Sequence, residues 1–295
     1  MNGAIRDVAI IGPGRVGTLL AVSVARAGFR LVAVAGGTPE ARDLLTRSVA
    51  GSRPCASPAD AVRRAELVLV CVPDDALEDV ATDLAVADAV GPDQHVVHVA
   101  GSRGCAPLHR VALTGARVAA CHPAMTVPTG ARDPELLVGV AWAVTAPVPD
   151  RGWASELVTG LGGDPHVVPE ESRALYHAGL VLASNAVGAA VAAARRLLLA
   201  ARVDQPQAFL APLIEASVAN VLASGASALT GPIVRGDVGT VAGHLEVIDR
   251  DTPELSEAYR ALGLATLSPV RPMLEPSVAG SLQRLLGGGR DEQAG

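Results

Sequence analysis

A short segment near the N-terminus has the residue types and spacing needed to hold a diphosphate. It reads Gly12-Pro-Gly14-Arg15-Val16-Gly17, a G-x-G-x-x-G pattern between a strand-like run and a helix-like run. The first glycine permits a tight turn, the second lets the backbone approach a pyrophosphate, and the third allows close helix–strand packing. The amides of Arg15 and Val16 can then donate to phosphate oxygens. With 31 glycines in the chain, a turn without a ligand is the alternative, but this context favours a dinucleotide site.

The end of the second predicted strand decides which dinucleotide is favoured. An NAD site has an Asp or Glu there, about twenty residues after the glycine motif, that bonds the ribose 2′-hydroxyl. This chain reads Ala35-Gly-Gly-Thr38-Pro, and its first carboxylate, Glu40, comes beyond that position. Thr38 and Arg42 are instead suited to a 2′-phosphate. We therefore expect the cofactor to be NADP(H).

Other predicted strands also end in residues that could line a site, because ligands of open α/β sheets bind at the carboxyl edge. Val72 and Pro73 close the strand after which the nicotinamide ribose lies in such sheets. Ser102 and the His122-Pro123 step follow later strands. For Ser102 and His122, turn chemistry explains the residues as well as a site does, and both interpretations stay open.

The strongest polar cluster of the second half lies on one predicted helix. It reads Arg173-Ala-Leu-Tyr176-His177, with Ser184 and Asn185 further along. Residues 173, 177 and 184 lie within about 40° of one another on an ideal helix. The rest of this helix is too apolar for a surface face, which favours a function for His177. A solvated or satisfied polar stripe is the alternative.

A turn framed by glycine and proline carries one arginine and one acidic residue. It reads Leu229-Thr-Gly-Pro-Ile-Val-Arg235-Gly-Asp237. A guanidinium binds a carboxylate through two parallel hydrogen bonds, so Arg235 is a candidate for holding a carboxylate substrate. A salt bridge between Arg235 and Asp237 across the turn is the alternative. Thr240 and His244 then recur four residues apart on the next predicted helix.

The elements that must position these residues alternate in the first half of the chain. Apolar runs predict strands at residues 8–11, 31–35, 67–72, 96–99, 118–121, 142–145 and 166–168. Helical spacing predicts helices at residues 18–27, 39–50, 75–87 and 151–161. This order predicts an α/β fold, a doubly wound parallel sheet of the Rossmann type over residues 1–169.

From residue 170 onwards only helical patterns are found. Pro169-Glu-Glu suits a helix start, since proline fits the first turn and the carboxylates face the positive end of the helix dipole. Helices are predicted at residues 170–201, 207–223, 238–250 and 254–267. We therefore expect an all-helical domain for substrate binding and dimerisation at residues 170–280, and a flexible tail at residues 281–295.

Composition excludes several classes of function. Hydrophobic residues make up 49% of the 295-residue chain, aromatic residues 2% and charged residues 18%, with a net charge of −6. Without a basic run or many aromatic rings, the chain is not expected to bind nucleic acid. All 24 basic residues are arginines, which excludes Schiff-base chemistry and a P-loop lysine.

Three further features concern the compartment. The four cysteines never form a C-x-x-C pair, which indicates free thiols in a reducing cytosol rather than disulfides or a metal site. The N-terminus has no apolar signal-peptide segment. Residues 174–194 carry no Asp, Glu or Arg, but their polar and small side chains contact lipid poorly. A helix buried between domains or subunits is favoured over a membrane span, so we expect a soluble, cytoplasmic protein.

The glycine motif, His122-Pro123, the Ala-Leu-Tyr-His…Ser-Asn helix and the Leu-Thr-Gly-Pro-Ile-Val-Arg-Gly-Asp turn together resemble one bacterial family. Its members join an N-terminal Rossmann-like domain to a C-terminal helical domain of unknown function. The family belongs with the 6-phosphogluconate dehydrogenase-like reductases, near ketopantoate reductase and pyrroline-5-carboxylate reductase. The resemblance covers about residues 5–270. It implies NADPH-dependent reduction of 2-dehydropantoate (ketopantoate) to pantoate, in pantothenate biosynthesis, as the leading activity.

One departure from the related reductases matters for the mechanism. Ketopantoate reductase and 6-phosphogluconate dehydrogenase carry a catalytic Lys, then an Asn four residues later, where this chain has Arg173 and His177. An arginine does not give up its proton near neutral pH, so the acid role is expected to move to His177. Asn185 would orient the carbonyl, Arg235 would hold a carboxylate, and Arg173 would stabilise the oxyanion. The expected site is completed by Asp237, His122 and Ser102.

Two other functions stay open. An imine reductase of the pyrroline-5-carboxylate type needs no strong acid, because its iminium substrate arrives protonated. A protein that lost catalysis together with the lysine would be an NADP-binding sensor or scaffold. In each case the apolar helix at residues 174–194 predicts a homodimer, since large apolar patches are rare on monomers.

Overall fold

The structure is a computed structural model that describes residues 5–288 of the chain. The chain divides between Ala183 and Ser184 into two compact units, called unit 1 and unit 2 below. The sequence places the start of the helical domain at residue 170. Contacts divide the chain later because Glu170, Arg173 and Tyr176 all bond to residues of unit 1.

Unit 1 is built on an eight-stranded sheet with the order β3-β2-β1-β4-β5-β6-β7-β8. The strands are β1 (Asp7–Ile11), β2 (Arg30–Ala35), β3 (Arg53–Pro54), β4 (Leu67–Val70), β5 (His95–His98), β6 (Arg117–Pro123), β7 (Ala141–Thr145) and β8 (Asp164–Val167). All neighbours pair parallel except β6 and β7. The predicted fold class is confirmed. Every predicted strand is present, and the sheet has one further strand that was not predicted, the short edge strand β3.

The residues of β4 illustrate why the sheet is covered on both faces. All of them are buried. Leu67 and Leu69 pack in one apolar core. The alternate residues Val68 and Val70 pack in a second core on the opposite face. A strand that is covered on both faces needs a continuous apolar run, which is the pattern from which it was predicted.

Helices cover both faces of this sheet, as in a doubly wound fold. They are α1 (Arg15–Arg26), α2 (Pro39–Ser48), α3 (Pro58–Val62), α4 (Leu77–Val86), α5 (His109–Ala112) and α6 (Arg151–Gly160). A further helix, α7 (Arg173–Val181), follows β8 and buries only Arg173. Side chains of α1 and α6 enter the core that contains Leu67. Side chains of α4 and α5 enter the core that contains Val68.

The departure from the predicted parallel order is β7, which runs antiparallel to β6. A parallel neighbour needs a crossover that returns the chain to the opposite edge of the sheet. The connection between β6 and β7 contains only a short 3-10 helix, Pro134–Leu137, so the chain turns back at the same edge. After α6 crosses over, β8 pairs parallel with β7.

The helix predicted at residues 170–201 is present but not uniform. A 3-10 turn, Glu170–Ser172, precedes α7. A π-helical turn, Leu182–Ala186, separates α7 from α8 (Val187–Ala200). A π-turn changes the rotation per residue, so the ideal-helix angles that placed Ser184 beside Arg173 and His177 do not apply without change. The prediction of one regular helix over residues 170–201 is therefore wrong at Leu182–Ala186, and the polar stripe over residues 173–184 stays a prediction.

Unit 2 is all-helical. After α8 it contains α9 (Pro206–Ser224), α10 (Val238–Asp251), α11 (Ser256–Val270) and α12 (Pro276–Leu286). Its apolar core is formed by α10, α11, α12 and the turn before them, through Ile233, Val241, Leu245, Leu267, Val270, Leu282 and Leu286. The predicted tail from residue 281 is wrong over its first residues. There the chain is helical to Leu286, because Leu282 and Leu286 are buried in this core. Residues 289–295 of the predicted tail lie outside the described residues.

Two helical segments are long and apolar enough to span a membrane, by length and composition alone. They are Glu170–Ala200 and Pro206–Ala228. In the most apolar stretch of the first segment 0% of the residues are buried, and in that of the second segment 6% are buried. On α9, for example, Phe209, Leu213 and Leu222 are 62%, 64% and 83% exposed. The chain by itself therefore leaves a large apolar helical surface uncovered.

Candidate active site

The glycine motif forms the turn between β1 and α1. Gly12 has a φ of 98°, which L side chains rarely adopt, and a Cβ there would lie 2.5 Å from the Cys71 carbonyl oxygen. A Cβ on Gly17 would collide with the Gly12 carbonyl oxygen, so the helix packs directly on the turn. At Gly14 a Cβ would meet no heavy atom within 4 Å. The backbone is therefore tightly packed at two glycines and open to a ligand at the third.

The start of α1 supplies donors at this open position. Gly14 is the N-cap residue, and it brings no side chain to bond the first amides of the helix. The N–H groups of Arg15 and Val16 have no helical carbonyl one turn earlier. With the positive end of the helix dipole they form an anion site. The residues present therefore fit the pyrophosphate of a dinucleotide.

The turn after β2 is organised by Arg42. Its Nη1 donates to the carbonyl oxygens of Gly36 and Gly37, at 3.1 and 2.9 Å. These bonds hold the guanidinium against the end of β2, while its Nε and Nη2 have no hydrogen-bond partner within residues 5–288. The Thr38 hydroxyl oxygen accepts from the Ala41 amide at 3.2 Å and caps α2. A fixed guanidinium with unused donors suits a phosphate at this end of the strand.

The ends of β4 and β5 are joined by a side-chain hydrogen bond. Ser102, in the loop after β5, donates to the Asp74 carboxylate at 2.8 Å. Val72 and Pro73 lie between β4 and Asp74. Val72 is half-buried against one core of the sheet, whereas Pro73 is exposed. These residues therefore line the carboxyl edge of the sheet next to the glycine turn.

Three ring side chains meet at the same edge. Nδ1 of His122, near the end of β6, lies 3.0 Å from the Tyr176 hydroxyl oxygen on α7. The His122 and His177 rings are edge to face, with centroids 5.9 Å apart. A Cβ on Gly101 would lie 2.9 Å from Nε2 of each histidine. Glycine at 101 therefore lets the loop after β5 contact both imidazoles, and the His177 ring has no hydrogen-bond partner in the described part of the chain.

Burial, more than the neighbouring charges, keeps the imidazole and the phenol of this cluster uncharged. The pKa of His122 is lowered to about 4, mainly by burial and to a smaller extent by Arg173, His177 and His98, while Asp74 opposes the shift. Burial raises the pKa of Tyr176, although Arg173 partly opposes the rise. Near pH 7 the imidazole of His122 is therefore uncharged and the phenol of Tyr176 keeps its proton. The two form a neutral hydrogen-bonded pair.

Arg173 does not present a free guanidinium to this cluster. The residue is 1% exposed. Its Nε donates to the Arg103 carbonyl oxygen at 2.8 Å, Nη1 to that of Ala143 at 3.2 Å, and Nη2 to that of Ala100 at 2.9 Å. The guanidinium carbon lies 5.7 Å from the Tyr176 ring centroid. The expectation that Arg173 stabilises an oxyanion directly is wrong, because its guanidinium is buried and each of its three nitrogens donates to a carbonyl oxygen of the protein.

The remaining predicted site residues lie in unit 2. Asn185 is exposed on the π-turn, where its side-chain oxygen accepts from the Ser184 hydroxyl at 3.2 Å. The Asp237 carboxylate accepts from the hydroxyl and the amide of Thr240, at 2.7 and 3.0 Å, and so caps α10. These bonds lower the pKa of Asp237, with a smaller contribution from Arg235. Asp237 therefore caps α10, and its catalytic role stays a prediction.

Arg235 and His244 differ in their surroundings. Arg235 is exposed, and its charge acts on Asp237 without an ion pair between them in the described residues. Its guanidinium is therefore available to a carboxylate ligand. His244 Nδ1 lies 2.7 Å from the Tyr259 hydroxyl, and both side chains line a cavity of about 460 Å³ within unit 2.

Sequence reasoning missed the residues that hold the loop after β5. Glu170, expected to face the dipole of its own helix, accepts instead from the amides of Cys105 and Ala106, at 2.6 and 3.0 Å. His98 is fully buried; its Nδ1 accepts from the Ala100 amide and its Nε2 donates to the Gly104 carbonyl oxygen. Gly101 and Gly104, three residues apart after a predicted strand, were the available sequence signal that this loop packs tightly.

Two family descriptions match the chain, one in each part. Residues 1–123 match the Rossmann-like domain, and residues 140–266 match a domain of unknown function, DUF2520. No curated protein matches the sequence.

Solved structures share the fold at low sequence identity. A proposed NADP oxidoreductase from Bacteroides fragilis is 22% identical, with a TM-score of 0.74 over 89% of this chain and 98% of that chain. An imine reductase from Myxococcus stipitatus, in complex with NADP+, is 16% identical, with a TM-score of 0.65 over 95% and 99%. A pyrroline carboxylate reductase from Plasmodium falciparum, with NADP bound, is 12% identical, with a TM-score of 0.57 over 97% of each chain. The chain therefore joins a Rossmann-like domain to a DUF2520 domain, as its motifs indicated.

Proposed function

We propose that the chain is an NADPH-dependent reductase that delivers a hydride to a C=N or C=O bond of a small molecule. One observation carries the proposal: the glycine turn after β1 and the cluster of His122, Tyr176 and His177 occupy the same edge of one sheet. β4 and β5 separate β1 from β6, so the two features are about 15 Å apart at the usual strand spacing. Ligands of open α/β sheets bind along this edge, and a dinucleotide is long enough to join the two features.

The residues for the cofactor follow from the same geometry. The open backbone at Gly14 and the amides of Arg15 and Val16 would hold the pyrophosphate, with Gly12 and Gly17 closing the turn. Arg42 and Thr38 would hold the 2′-phosphate, and Val72 and Pro73 would line the nicotinamide end. The structures with NADP bound that share this fold support the assignment.

The polar cluster supplies the proton chemistry in this proposal. When bound, NADPH supplies the hydride. His177 donates a proton to the nitrogen or oxygen of the substrate, because its imidazole is half-buried at the cluster and has no partner in residues 5–288. The neutral His122–Tyr176 pair offers one hydrogen-bond donor or acceptor to the substrate without adding charge. Ser102 and Asn185 are further candidates for orienting the substrate.

The first substrate candidate is an imine. Arg173, which packs against Tyr176, donates to carbonyl oxygens of the protein. His122 is uncharged near pH 7. An iminium arrives protonated and makes little demand on an acid, which suits a cluster whose His122–Tyr176 pair has no proton to give up near pH 7. The imine reductase and the pyrroline carboxylate reductase among the structures that share the fold support this class.

The second candidate is a small 2-oxo acid, with 2-dehydropantoate as the one that the family resemblance implies. The observation that favours it is the exposed Arg235, whose guanidinium has no ion pair within the described residues and could bind a carboxylate. Reduction of a carbonyl would depend strongly on the proton from His177. The two candidates therefore differ in how much catalysis this histidine must supply.

NADPH oxidation with a matched panel distinguishes the candidates. The panel contains a cyclic imine with and without a carboxylate, 2-dehydropantoate, and a 2-oxo acid without branching. Turnover of imines alone selects the first candidate, and turnover of 2-dehydropantoate alone selects the second. Tight NADPH binding with no oxidation on any substrate would favour a sensor or scaffold and reject the reductase.

We also propose that the chain is a soluble, cytoplasmic homodimer that covers the apolar surface of α8 and α9. These helices expose large apolar side chains, including Phe209 and Leu222, and such surfaces are rarely left open on a monomer. Light scattering at micromolar concentration tests the proposal. A dimer mass without detergent supports it, whereas a monomer mass, or extraction only with detergent, rejects it.

A further inference from the structure

The family resemblance matches Arg173 to a catalytic lysine of related reductases, yet its side chain is buried and donates to three carbonyl oxygens. Its three hydrogen bonds join two parts of the sheet edge. Ala100 and Arg103, which accept two of them, lie in the loop after β5. Ala143, which accepts the third, lies in β7. β6, which carries His122, lies between β5 and β7. The guanidinium therefore bridges the two sides of the strand that bears His122.

The loop at residues 100–106, called the 100–106 loop, is also held from two other directions. Glu170 accepts from the Cys105 and Ala106 amides at its end. His98, the last residue of β5, accepts from the Ala100 amide at 3.1 Å and donates to the Gly104 carbonyl oxygen at 2.6 Å. A Cβ on Gly104 would collide with the Glu170 carboxylate, so the contact depends on glycine. Few positions of this loop are free to move independently of α7.

The helix and the loop are thereby fixed relative to each other at the ring cluster. Arg173 is the first residue of α7. Tyr176 and His177 follow three and four residues later, so all three lie on one side of the helix. The same loop that Arg173 holds carries Gly101, where a Cβ would lie 2.9 Å from Nε2 of both His122 and His177. A shift of the guanidinium would therefore move both sides of the cluster.

We infer that Arg173 is a positioning residue for the proposed reaction: it holds the 100–106 loop against α7 and so fixes the His122, Tyr176 and His177 cluster. The inference rests on the proposed reductase function. Glu170 acts in the same way from the other end of the loop. Arg173 touches neither substrate nor cofactor in this role.

Because Arg173 is buried and charged, it also shifts the pKa values of His122 and Tyr176, which a side chain that only held the loop in place would not do. Beyond the effect of burial, His122 faces Arg173, His177 and His98, which lower its pKa, and Asp74, which raises it. For Tyr176, Arg173 opposes the rise that burial causes. Removing the charge should raise the pKa of His122 from about 4 towards 6.5 and raise that of Tyr176 further. Replacing arginine by lysine should keep the charge but lose the three-carbonyl geometry.

The test compares Arg173→Met, Arg173→Lys and Glu170→Ala with the wild-type chain. Arg117→Met is the matched control, because Arg117 contacts Asp150, the Pro149 carbonyl oxygen and the Trp153 ring at the opposite end of β6. We expect about 100-fold lower kcat for Arg173→Met and about 10-fold lower kcat for Arg173→Lys and Glu170→Ala, since small misplacements of reacting groups are costly. The Kd for NADPH should change by less than about threefold. A tenfold higher Kd, which corresponds to about 1.4 kcal/mol, would indicate that contacts to the cofactor were lost.

Two readouts do not depend on turnover. Amide hydrogen exchange in the 100–106 loop should speed up in the Arg173 and Glu170 variants and stay unchanged in Arg117→Met. NMR titration of His122 should show a raised pKa in Arg173→Met and a value near the wild type in Arg173→Lys. Unchanged exchange together with unchanged kcat in Arg173→Met and Glu170→Ala overturns the inference.

The outcomes separate this inference from the proposed function. If the wild-type chain oxidises no NADPH, the reductase proposal fails, while exchange and titration still decide whether Arg173 fixes the cluster. If Arg173→Met does not fold, Glu170→Ala decides, because Glu170 is exposed and its loss leaves the apolar core intact.

Discussion

The hydroxyl oxygen of Tyr176 lies 3.0 Å from Nδ1 of His122, which joins the first turn of α7 to the end of β6. Burial lowers the pKa of the imidazole and raises the pKa of the phenol. The pair therefore stays uncharged over the neutral range. His177, whose ring lies edge to face with His122, is left as the histidine of the cluster without a hydrogen-bond partner in the described residues.

Replacing His177 should separate the two substrate classes. For a C=O substrate, His177→Ala should lower kcat by roughly 10²–10⁴, the usual loss when a general acid is removed. For an iminium substrate the loss should be below about tenfold, because the proton is already present. NADPH affinity by calorimetry should hardly change, since the glycine turn is untouched. An unchanged kcat on a carbonyl substrate would move the acid role to Tyr176 or a bound water.

The cofactor preference should depend on Arg42. We expect NADPH to bind at least about tenfold more tightly than NADH, which corresponds to about 1.4 kcal/mol. In Arg42→Ala this preference should vanish through weaker NADPH binding, because the guanidinium held by Gly36 and Gly37 is lost. Arg47→Ala, on the same helix but outside the turn, serves as the control. Equal affinities for the two cofactors in the wild type would contradict the assignment.

Folding stability should fall between pH 6.5 and pH 4. Burial lowers the pKa of His98 to about 4 from its ordinary 6.5, so in this window the unfolded chain binds a proton that the folded chain does not. The stabilisation is complete above pH 6.5 and declines as the pH falls towards 4, by about 3 kcal/mol for this group. His122 contributes in the same window.

Urea unfolding from pH 4 to pH 8 measures this slope. His98→Gln keeps a donor towards the Gly104 carbonyl oxygen but cannot be protonated, so roughly half of the slope should disappear. The variant should be less stable than the wild type at pH 7, because the Ala100 amide loses its acceptor. An equal slope in the two proteins would show that His98 does not titrate with unfolding.

Arg235 should matter for charged substrates alone. Arg235→Ala should raise KM for substrates with a carboxylate and leave KM for uncharged imines unaffected. If the contact is buried in the complex, the rise corresponds to a loss of about 2–5 kcal/mol of binding free energy. Steady-state kinetics with one imine bearing a carboxylate and one lacking it measures the difference. A lower melting temperature with unchanged KM would instead assign Arg235 a structural role.

The fold was accessible from the sequence because its signals are local. The continuous apolar run of β4 and the glycine spacing after β1 each reflect contacts made within a few residues or along one strand. The reversal of β7 was not accessible, because it depends on the path of an irregular connection. The π-turn at Leu182–Ala186 was also missed, since it has no marked residue type.

The candidate site divides in the same way. The positions of Gly12, Gly14 and Gly17 follow from a local motif. The role of Arg173 does not, because its partners Ala100, Arg103 and Ala143 are far away in the sequence and contribute only carbonyl oxygens. Any residue type can supply such an acceptor, so no pattern marks it. The capping contact of Asp237 was not predicted for a related reason, since a cap and a catalytic acid look alike in sequence.

The most direct test of the central claim is transfer of deuterium from 4-deuterated NADPH to the substrate carbon, followed by mass spectrometry of the product. We predict a product that carries deuterium from one face of the nicotinamide, with a cyclic imine or a 2-oxo acid as substrate. Arg117→Met should transfer the label at the wild-type rate, and His177→Ala should transfer it more slowly to a carbonyl. Tight NADPH binding with no label in any product would contradict the account.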